Sequence, residues 1–242
     1  MDFSVFLQPA FSGGGIYLDW VISGIKWTLL VSILAWIIAF SVGSVLGVLR
    51  TAPLAWLRVP ATIYVEVFRN IPLLVQMFIW YFVLPELVPK VAGEWLKTKL
   101  PMPEFTNAVL CLGFYTASRV AEQVRSGIQS IPRGQSEAGL AMGLTLPQVY
   151  RHVLLPMGYR IVIPPLTTEF LTIFKNSSIA LTIGVLELTA QARQISEYTF
   201  KTFEAFAVAT VVYVIITLTV AFAMRWLETK VRVPGYIGAQ DK

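Results

Sequence analysis

The least common chemical groups in this sequence are ionisable side chains that stand inside long apolar stretches. Arg119 lies deep in the apolar stretch 105–124, and Glu122 follows it three residues later. A guanidinium can hold a carboxylate through two parallel hydrogen bonds, so Arg119 is a candidate binding group for an anionic ligand. Glu122 would lie on the same face of a helix, and the alternative is therefore a structural Arg119–Glu122 ion pair.

Three further polar residues stand at breaks or ends of apolar stretches. Arg69 precedes Pro72, which frees a backbone carbonyl, so Arg69 either contacts a ligand or pairs with Glu66 at a hinge. Lys175 and Asn176 end a later apolar stretch, where a ligand contact and snorkelling of the lysine to an interface both fit. The candidate ligand-contacting residues are thus Arg69, Arg119, Glu122, Lys175 and Asn176.

The sequence contains no recognised signature of catalysis or of metal binding. There is no phosphate loop of the Gly-x4-Gly-Lys-Ser/Thr type, so we expect no ATP bound by that route. The single histidine, His152, has no His or Cys partner at metal-ligand spacing, and no Ser/His/Asp set can be assembled around it. The one cysteine, Cys111, excludes an internal disulfide. We therefore predict no metal, no cofactor bound by this chain and no enzymatic activity.

The composition places these residues in a membrane, with lipid as their surroundings. Of the 242 residues, 56% are apolar and only 14% are charged, whereas a soluble domain has about 25% charged residues. The apolar residues occur in runs of roughly 20, the length that crosses a bilayer as a helix. The net charge of +5 is spread along loops without a basic stripe of interleaved aromatics, so no nucleic-acid partner is expected.

An all-α membrane protein with five spans follows from this pattern. The spans are expected at about 20–49, 61–84, 105–124, 153–174 and 205–226, the fourth of them broken by Pro164 and Pro165. Residues 1–19 hold no Lys or Arg, so we expect no cleaved signal peptide. The predicted organisation is an N-terminal segment, a transmembrane domain and a tail, at 1–19, 20–228 and 229–242.

The distribution of Lys and Arg predicts the orientation, because cytoplasmic loops carry an excess of positive charge. With the N-terminus outside, the inner segments 50–60, 125–152 and 225–242 hold nine such residues, and the longer outer segments hold six. Segment 1–19 is therefore expected to be extracytoplasmic and the tail 229–242 to be cytoplasmic. The same orientation puts most of the segment 133–156 in the cytoplasm.

Residues 133–156, RGQSEAGLAMGLTLPQVYRHVLLP, have the pattern of two short helices joined by a turn. Ser136 is expected to cap the first helix, with Glu137 in its first turn. Gly143 is expected to close that helix in the left-handed conformation. Residues 145–148 have the spacing of a capping box, with Pro147 in the first turn of the second helix.

The letters EAGLAMG, a gap of nine residues and then VLLP resemble the EAA signature of ABC-importer permeases. That signature is Glu-Ala-Ala, three residues, Gly, nine residues, then a β-branched residue, any residue, Leu and Pro; here Gly139 replaces the third alanine. In the family this segment, EAA coupling loop 133–156 here, carries the coupling helix that docks on the cytoplasmic ATPase subunit. The resemblance therefore assigns ATPase coupling to seven residues, Glu137, Ala138, Gly139, Gly143, Val153, Leu155 and Pro156.

Other parts of the chain resemble the polar amino-acid permeases, namely YVEVFRNIPLLVQ (64–76), GIQSIPRGQ (127–135), VIPPL (162–166) and FKNSSIALTIG (174–184). Three more resemble the permeases of glutamate/aspartate import systems, namely LCLGFYTA (110–117), SRVAEQVR (118–125) and ETKVRVPG (228–235). General amino-acid permeases more often carry an aromatic or aliphatic residue where Arg119 stands. The resemblance thus implies L-glutamate and L-aspartate as substrates.

The resemblance also implies the fold and the partners. It indicates a five-span type I ABC-importer permease in the bacterial inner (plasma) membrane, paired with a second, identical or homologous permease subunit. Two cytoplasmic ATPase subunits would bind the ATP, and an extracytoplasmic solute-binding protein would deliver the amino acid. Closure of the ATPases would bring the coupling helices together and rock the spans between inward-facing and outward-facing states.

Two alternatives remain open. A permease of the same family could carry another polar amino acid, such as glutamine, arginine or histidine. An ion-coupled secondary transporter would more often have inverted repeats and broken helices matched between its halves, and the sequence has neither. A gene for a phosphate-loop ATPase next to the gene for this chain would support the ABC permease over the secondary transporter.

Overall fold

The apolar stretches form long helices in the computed structural model, which describes residues 1–11 and 15–231. Most of the predicted tail 229–242 lies outside the described residues. The α-helices are α1 (Tyr17–Leu49), α2 (Ala55–Asn70), α3 (Leu73–Phe78), α4 (Leu84–Leu87), α5 (Lys90–Thr98), α6 (Pro103–Gln129), α7 (Arg133–Ala141), α8 (Leu146–Val149), α9 (Leu155–Asn176), α10 (Leu188–Thr199) and α11 (Thr202–Val231). Short 3₁₀ helices cover Phe3–Leu7 and Ser177–Ile183, and π-helical turns cover Ile79–Val83 and Tyr150–Leu154.

Two helices of the described chain are by themselves long and apolar enough to cross a membrane. These are α1, with 33 residues, and α11, with 30 residues. Two helix pairs meet the same criterion together but are bent, Ala55–Asn70 with Leu73–Leu87 by 105° and Leu146–Ile183 with Leu188–Thr199 by 51°. The predicted third span corresponds to α6, which is 27 residues long but carries several charges and is not among these candidates. The count of five spans stays a prediction.

Prolines have different effects in the two bent pairs. Pro72 lies at the start of α3, where the predicted second span bends, because proline cannot continue the hydrogen bonding of α2. The predicted break at Pro164 and Pro165 is wrong, since both residues lie inside the continuous helix α9. Helices in membranes tolerate proline where neighbouring helices and small local adjustments satisfy the freed carbonyls.

The chain divides into two compact units. Unit 1 comprises Met1–Ile37, Ile71–Gly113 and Leu171–Val220, and unit 2 comprises Ile38–Asn70, Phe114–Phe170 and the chain from Ala221. In unit 1, the N-terminal residues pack with α10 and α11 in one apolar cluster that includes Val5, Phe6, Leu188 and Ile195. The single cysteine, Cys111, also lies in unit 1 and is completely buried.

In unit 2, α1 and α6 approach each other through small residues. A Cβ atom built on Gly43 would lie 2.7 Å from the carbonyl oxygen of Ala117, and one built on Gly47 would lie 2.7 Å from that of Ala121. Small residues four positions apart on both helices allow this backbone-to-backbone contact, as in many membrane helix pairs. The contact fixes the part of α6 that carries the ionisable residues identified from the sequence.

Candidate functional site

The segment 133–156 begins with α7, which starts earlier than the sequence suggests. Arg133 is its first residue and Pro132, in an extended conformation, precedes it as N-cap. Ser136 is therefore not a cap, and its hydroxyl donates to the Arg133 carbonyl oxygen at 2.8 Å inside the helix. Such a bond within a helix is the usual alternative for a serine that does not cap.

The turn after α7 is as predicted. Gly143 has a φ of +86°, the left-handed conformation that favours glycine, and the Leu144 N–H donates to the Gly139 carbonyl at 3.1 Å. The Thr145 N–H then donates to Gln148 Oε1 at 2.7 Å, which confirms the capping box. The second helix is not a separate short one, however, because α8 continues through the π-helical turn Tyr150–Leu154 into α9.

The residues predicted for ATPase coupling differ in their exposure. Of these seven residues, Gly139 is buried against Val149, whereas four are exposed, namely Glu137, Ala138, Gly143 and Pro156. Val153 and Leu155 are half-buried. The sequence analysis missed three apolar side chains that also face outward, Leu140, Met142 and Leu146, with exposed fractions of 48%, 76% and 41%. The segment thus presents an open surface of mixed polarity. The sequence could have indicated this surface, because these apolar residues lie outside the predicted spans.

Arg119 makes its ion pair with a residue that the sequence analysis missed. Its Nε lies 2.7 Å from Oε2 of Glu169 on α9, so the alternative of a structural Arg119–Glu122 pair is wrong. The Glu169 side chain is only 7% exposed, whereas that of Arg119 is 42% exposed. Glu169 is the one acidic residue of the predicted fourth span, and that isolation was a usable signal. The buried carboxylate holds a guanidinium that stays accessible.

Glu122 instead lies among arginines from three elements. Nη1 of Arg50, just after α1, is 2.5 Å from Glu122 Oε2, and Arg125 on α6 pairs with Glu122 Oε1. Arg69, at the end of α2, has Nη1 3.6 Å from Glu122 Oε2, so the alternative of an Arg69–Glu66 pair is wrong. Glu66 lies 3.7 Å from Nη2 of Arg50. We name these residues the Arg50 cluster: Arg50, Glu66, Arg69, Glu122 and Arg125.

The last two candidate ligand contacts lie apart in the sequence from these pairs. Lys175 is exposed at the end of α9 and Asn176 is half-buried before the 3₁₀ helix, and both belong to unit 1, whereas Arg119 belongs to unit 2. Within the described residues no group of three or more His, Cys, Asp or Glu side chains could hold a metal ion.

Comparisons with known proteins place this geometry among transport components. Residues 39–233 match the family described as "Binding-protein-dependent transport system inner membrane component". The glutamate/aspartate import permease protein GltJ of Escherichia coli (strain K12) is 49% identical over 241 residues, 99% of this chain and 98% of that protein. The probable glutamine ABC transporter permease protein GlnM of Bacillus subtilis (strain 168) is 36% identical, with coverages of 91% and 95%.

Solved structures give the same picture. A crystal structure of an amino acid ABC transporter with histidines matches with a TM-score of 0.76 and 30% identity, over 88% of this chain and 95% of that one. The inward-facing MetNI methionine ABC transporter matches with a TM-score of 0.74, over 89% of this chain and 98% of that one. Its identity is 23%, so that second likeness concerns the fold alone.

Proposed function

Because this chain belongs to the family of binding-protein-dependent transport system inner membrane components, we propose that it forms the membrane pathway of an importer for L-glutamate and L-aspartate. The observation that supports these two substrates is the 49% identity, over nearly the whole chain, to a glutamate/aspartate import permease. The chain is an ABC-importer permease subunit of the type I fold, as predicted from the sequence. It is a transport protein and not an enzyme, as its relatives are permeases.

The inner membrane is the chain's location, as the description of the family states. We propose the orientation with the N-terminus extracytoplasmic and the C-terminus cytoplasmic, for which the support is the excess of Lys and Arg in the inner segments. In this orientation α7 faces the cytoplasm. A substrate-binding protein would approach from the other side.

A cytoplasmic ATPase is the partner that the surface around α7 suits best. Leu140 and Met142 are exposed there beside Glu137, and exposed apolar side chains on a well-formed helix favour a protein partner. Two such ATPase subunits, each binding ATP, would serve this chain and a second permease subunit. The second permease would complete a pathway that one chain does not enclose.

Arg119 is the residue of this chain that we assign to the substrate carboxylate. An acidic amino acid carries two carboxylates and one ammonium group, so a pathway of low polarity needs a compensating cation. The Arg119 side chain is 42% exposed, and its guanidinium is already oriented by Glu169. Arginine also matches a carboxylate better than lysine does, because its planar fork forms two parallel bonds. For Arg69, Glu122, Lys175 and Asn176, the role of pathway contact stays a prediction from the sequence.

Uptake by the reconstituted complex tests the substrate. Vesicles that contain this chain, its ATPase and its binding protein should import labelled L-glutamate and L-aspartate in preference to glutamine, arginine and histidine. The relatives named for glutamine are 36% and 33% identical, which makes glutamine the competitor to measure first. Preference for glutamine or a basic amino acid would contradict the acidic substrate while leaving the permease family intact.

Gly143→Asp tests the role of the coupling segment. A side chain at φ +86° is strained, although no atom crowds the position, so the turn after α7 should distort while the membrane helices form normally. We expect normal abundance in the membrane and loss of ATP-driven uptake. Gly134→Asp is the matched control, because Gly134 is equally uncrowded but lies within α7, where φ is ordinary. Equal uptake by both variants would contradict the assignment.

A further inference from the structure

One tyrosine ties the coupling segment to the end of α1. Tyr150 begins the π-helical turn between α8 and α9, and it is half-buried. Its hydroxyl donates to the Thr51 carbonyl oxygen at 2.9 Å and lies 3.1 Å from the Thr51 hydroxyl. Thr51 lies directly after α1, and its hydroxyl donates to the Val48 carbonyl oxygen at 2.7 Å. A displacement of the coupling segment therefore acts directly on the end of α1.

Arg50 continues this connection to α6. Arg50 is next to Thr51 in the chain, its side chain is 8% exposed, and its Nη1 lies 2.5 Å from Glu122 Oε2 on α6. Glu122 stands one turn after Arg119, which pairs with Glu169 on α9. The contacts of unit 2 thus form an unbroken series from the coupling segment to the proposed substrate contact.

The packing of α1 against α6 makes this series stiff. The two helices touch through backbone atoms at Gly43 and Gly47, so little room exists for one to slide past the other without a change of shape. The Arg50 side chain lies at the end of this contact with 8% exposure, and separating it from Glu122 would remove the nearest carboxylate from a poorly solvated charge. Movement of the end of α1 should therefore carry α6 with it.

We propose that Tyr150 and Arg50 are positioning residues that transmit movement of the coupling segment to α6, and thereby to Arg119. The inference rests on the proposed function, because it needs an ATPase that moves the segment. It adds Tyr150, in the nine-residue gap of the EAA pattern, and Arg50, which lies outside the segment 133–156; neither is among the seven residues assigned to ATPase coupling. Their role is to couple ATP hydrolysis to transport.

Tyr150→Phe tests the first link, because it removes the hydroxyl and keeps the ring. Import and ATP hydrolysis are measured in the same vesicles that contain the complete complex. We expect hydrolysis to continue while the amount imported per ATP falls by about two- to tenfold, the range for one lost hydrogen bond. The matched control is Tyr159→Phe, since the Tyr159 ring packs on Phe40 and its hydroxyl has no hydrogen bond within the described part of the chain. This control should keep the wild-type ratio.

The second link is tested with Arg50→Lys, which keeps the charge but cannot reach Glu122 and Glu66 together. We expect a fall in import per ATP of similar size. Because the two contacts lie in series, the double variant with Tyr150→Phe should be no worse than the more affected single variant. Effects that multiply in the double variant would overturn the series.

The possible failures have different meanings. Absence of ATP-dependent import with the wild-type chain would contradict the proposed function itself. Wild-type import with an unchanged ratio in Tyr150→Phe would contradict only the transmission role. A parallel loss of import and hydrolysis, or a loss of protein from the membrane, would identify Tyr150 as merely structural and overturn the proposal.

Discussion

Two ionic sites lie one helical turn apart on α6, and they distribute burial between the charges in opposite ways. At the first site the Glu169 side chain is 7% exposed and the Arg119 side chain is 42% exposed. At the Arg50 cluster the most buried side chain is that of Arg50, with 8% exposure, and Glu122 pairs with three arginines. The first site thus buries its carboxylate, whereas the second buries one of its cations and leaves Arg69 and Glu66 exposed.

This difference separates a binding role from a structural one. A buried carboxylate can fix the position of an accessible guanidinium, which then has donors for a second carboxylate. A carboxylate surrounded by several guanidinium groups is satisfied by the protein itself and holds the ends of α1, α2 and α6 together. We therefore expect loss of stability when the Glu122 carboxylate is removed and loss of uptake when the Arg119 guanidinium is removed.

The largest effect should come from Glu122→Leu, which leaves three arginines without their common carboxylate. Removing one partner of a poorly solvated ion pair costs about 3–5 kcal/mol, and the lower figure suits Glu122 because its side chain is 23% exposed. Thermal unfolding in detergent and abundance in the membrane measure this cost. The control is Glu197→Leu, which breaks an exposed pair with Arg193 and should cost less than about 1 kcal/mol. Equal losses in both variants would contradict the structural role of the cluster.

An intermediate effect on stability, but a large effect on uptake, is expected for Arg119→Leu. Loss of one charge-assisted contact corresponds to about 1.5–3 kcal/mol, or a fall in glutamate uptake of roughly tenfold or more. The single variant leaves the buried Glu169 carboxylate without its ion-pair partner, which lowers stability. The double variant with Glu169→Gln therefore separates the effect on stability from the effect on substrate binding. It should regain abundance without regaining uptake, and Arg119→Lys should keep only part of the uptake. Normal glutamate uptake by the double variant would make Arg119 a structural residue.

Arg69→Gln should have the smallest effect. Arg69 is 45% exposed and lies 3.6 Å from Glu122, so its loss should cost less than about 1 kcal/mol of stability. The unfolding and uptake measurements used for the other variants apply here too. A strong fall in uptake at normal stability would show that Arg69 contacts the ligand, and the cluster would then share the binding role of the first site.

The sequence predicted local geometry better than it predicted ionic partners. Gly143 and the capping box at Thr145 depend on neighbouring residues and on backbone conformation, and both are confirmed. The predicted start of α7 was wrong because the helix begins directly after Pro132, so that Ser136 lies inside its first turn and not before it. The long apolar helices α1 and α11 were evident from composition alone.

The partners of Arg119 and Glu122 on other helices could not be predicted from spacing, although Arg125 does pair with Glu122 three residues away. Residues three apart on a helix are close enough to pair, but each side chain can also pair with any opposite charge that the fold brings near it. Here packing through Gly43 and Gly47 brings α1 against α6, and Arg50 with it. The sequence alone gives no register between these helices, so neither Arg50 nor Glu169 was identified.

The burial of Cys111 makes the natural chain a ready background for chemical labelling. Its thiol is completely enclosed, so a membrane-impermeant maleimide should leave the unmodified protein unlabelled. Arg133→Cys and Lys90→Cys would each introduce one accessible thiol, because both positions are exposed. Right-side-out and inverted vesicles would then report which face of the membrane each position occupies, without prior removal of the native cysteine.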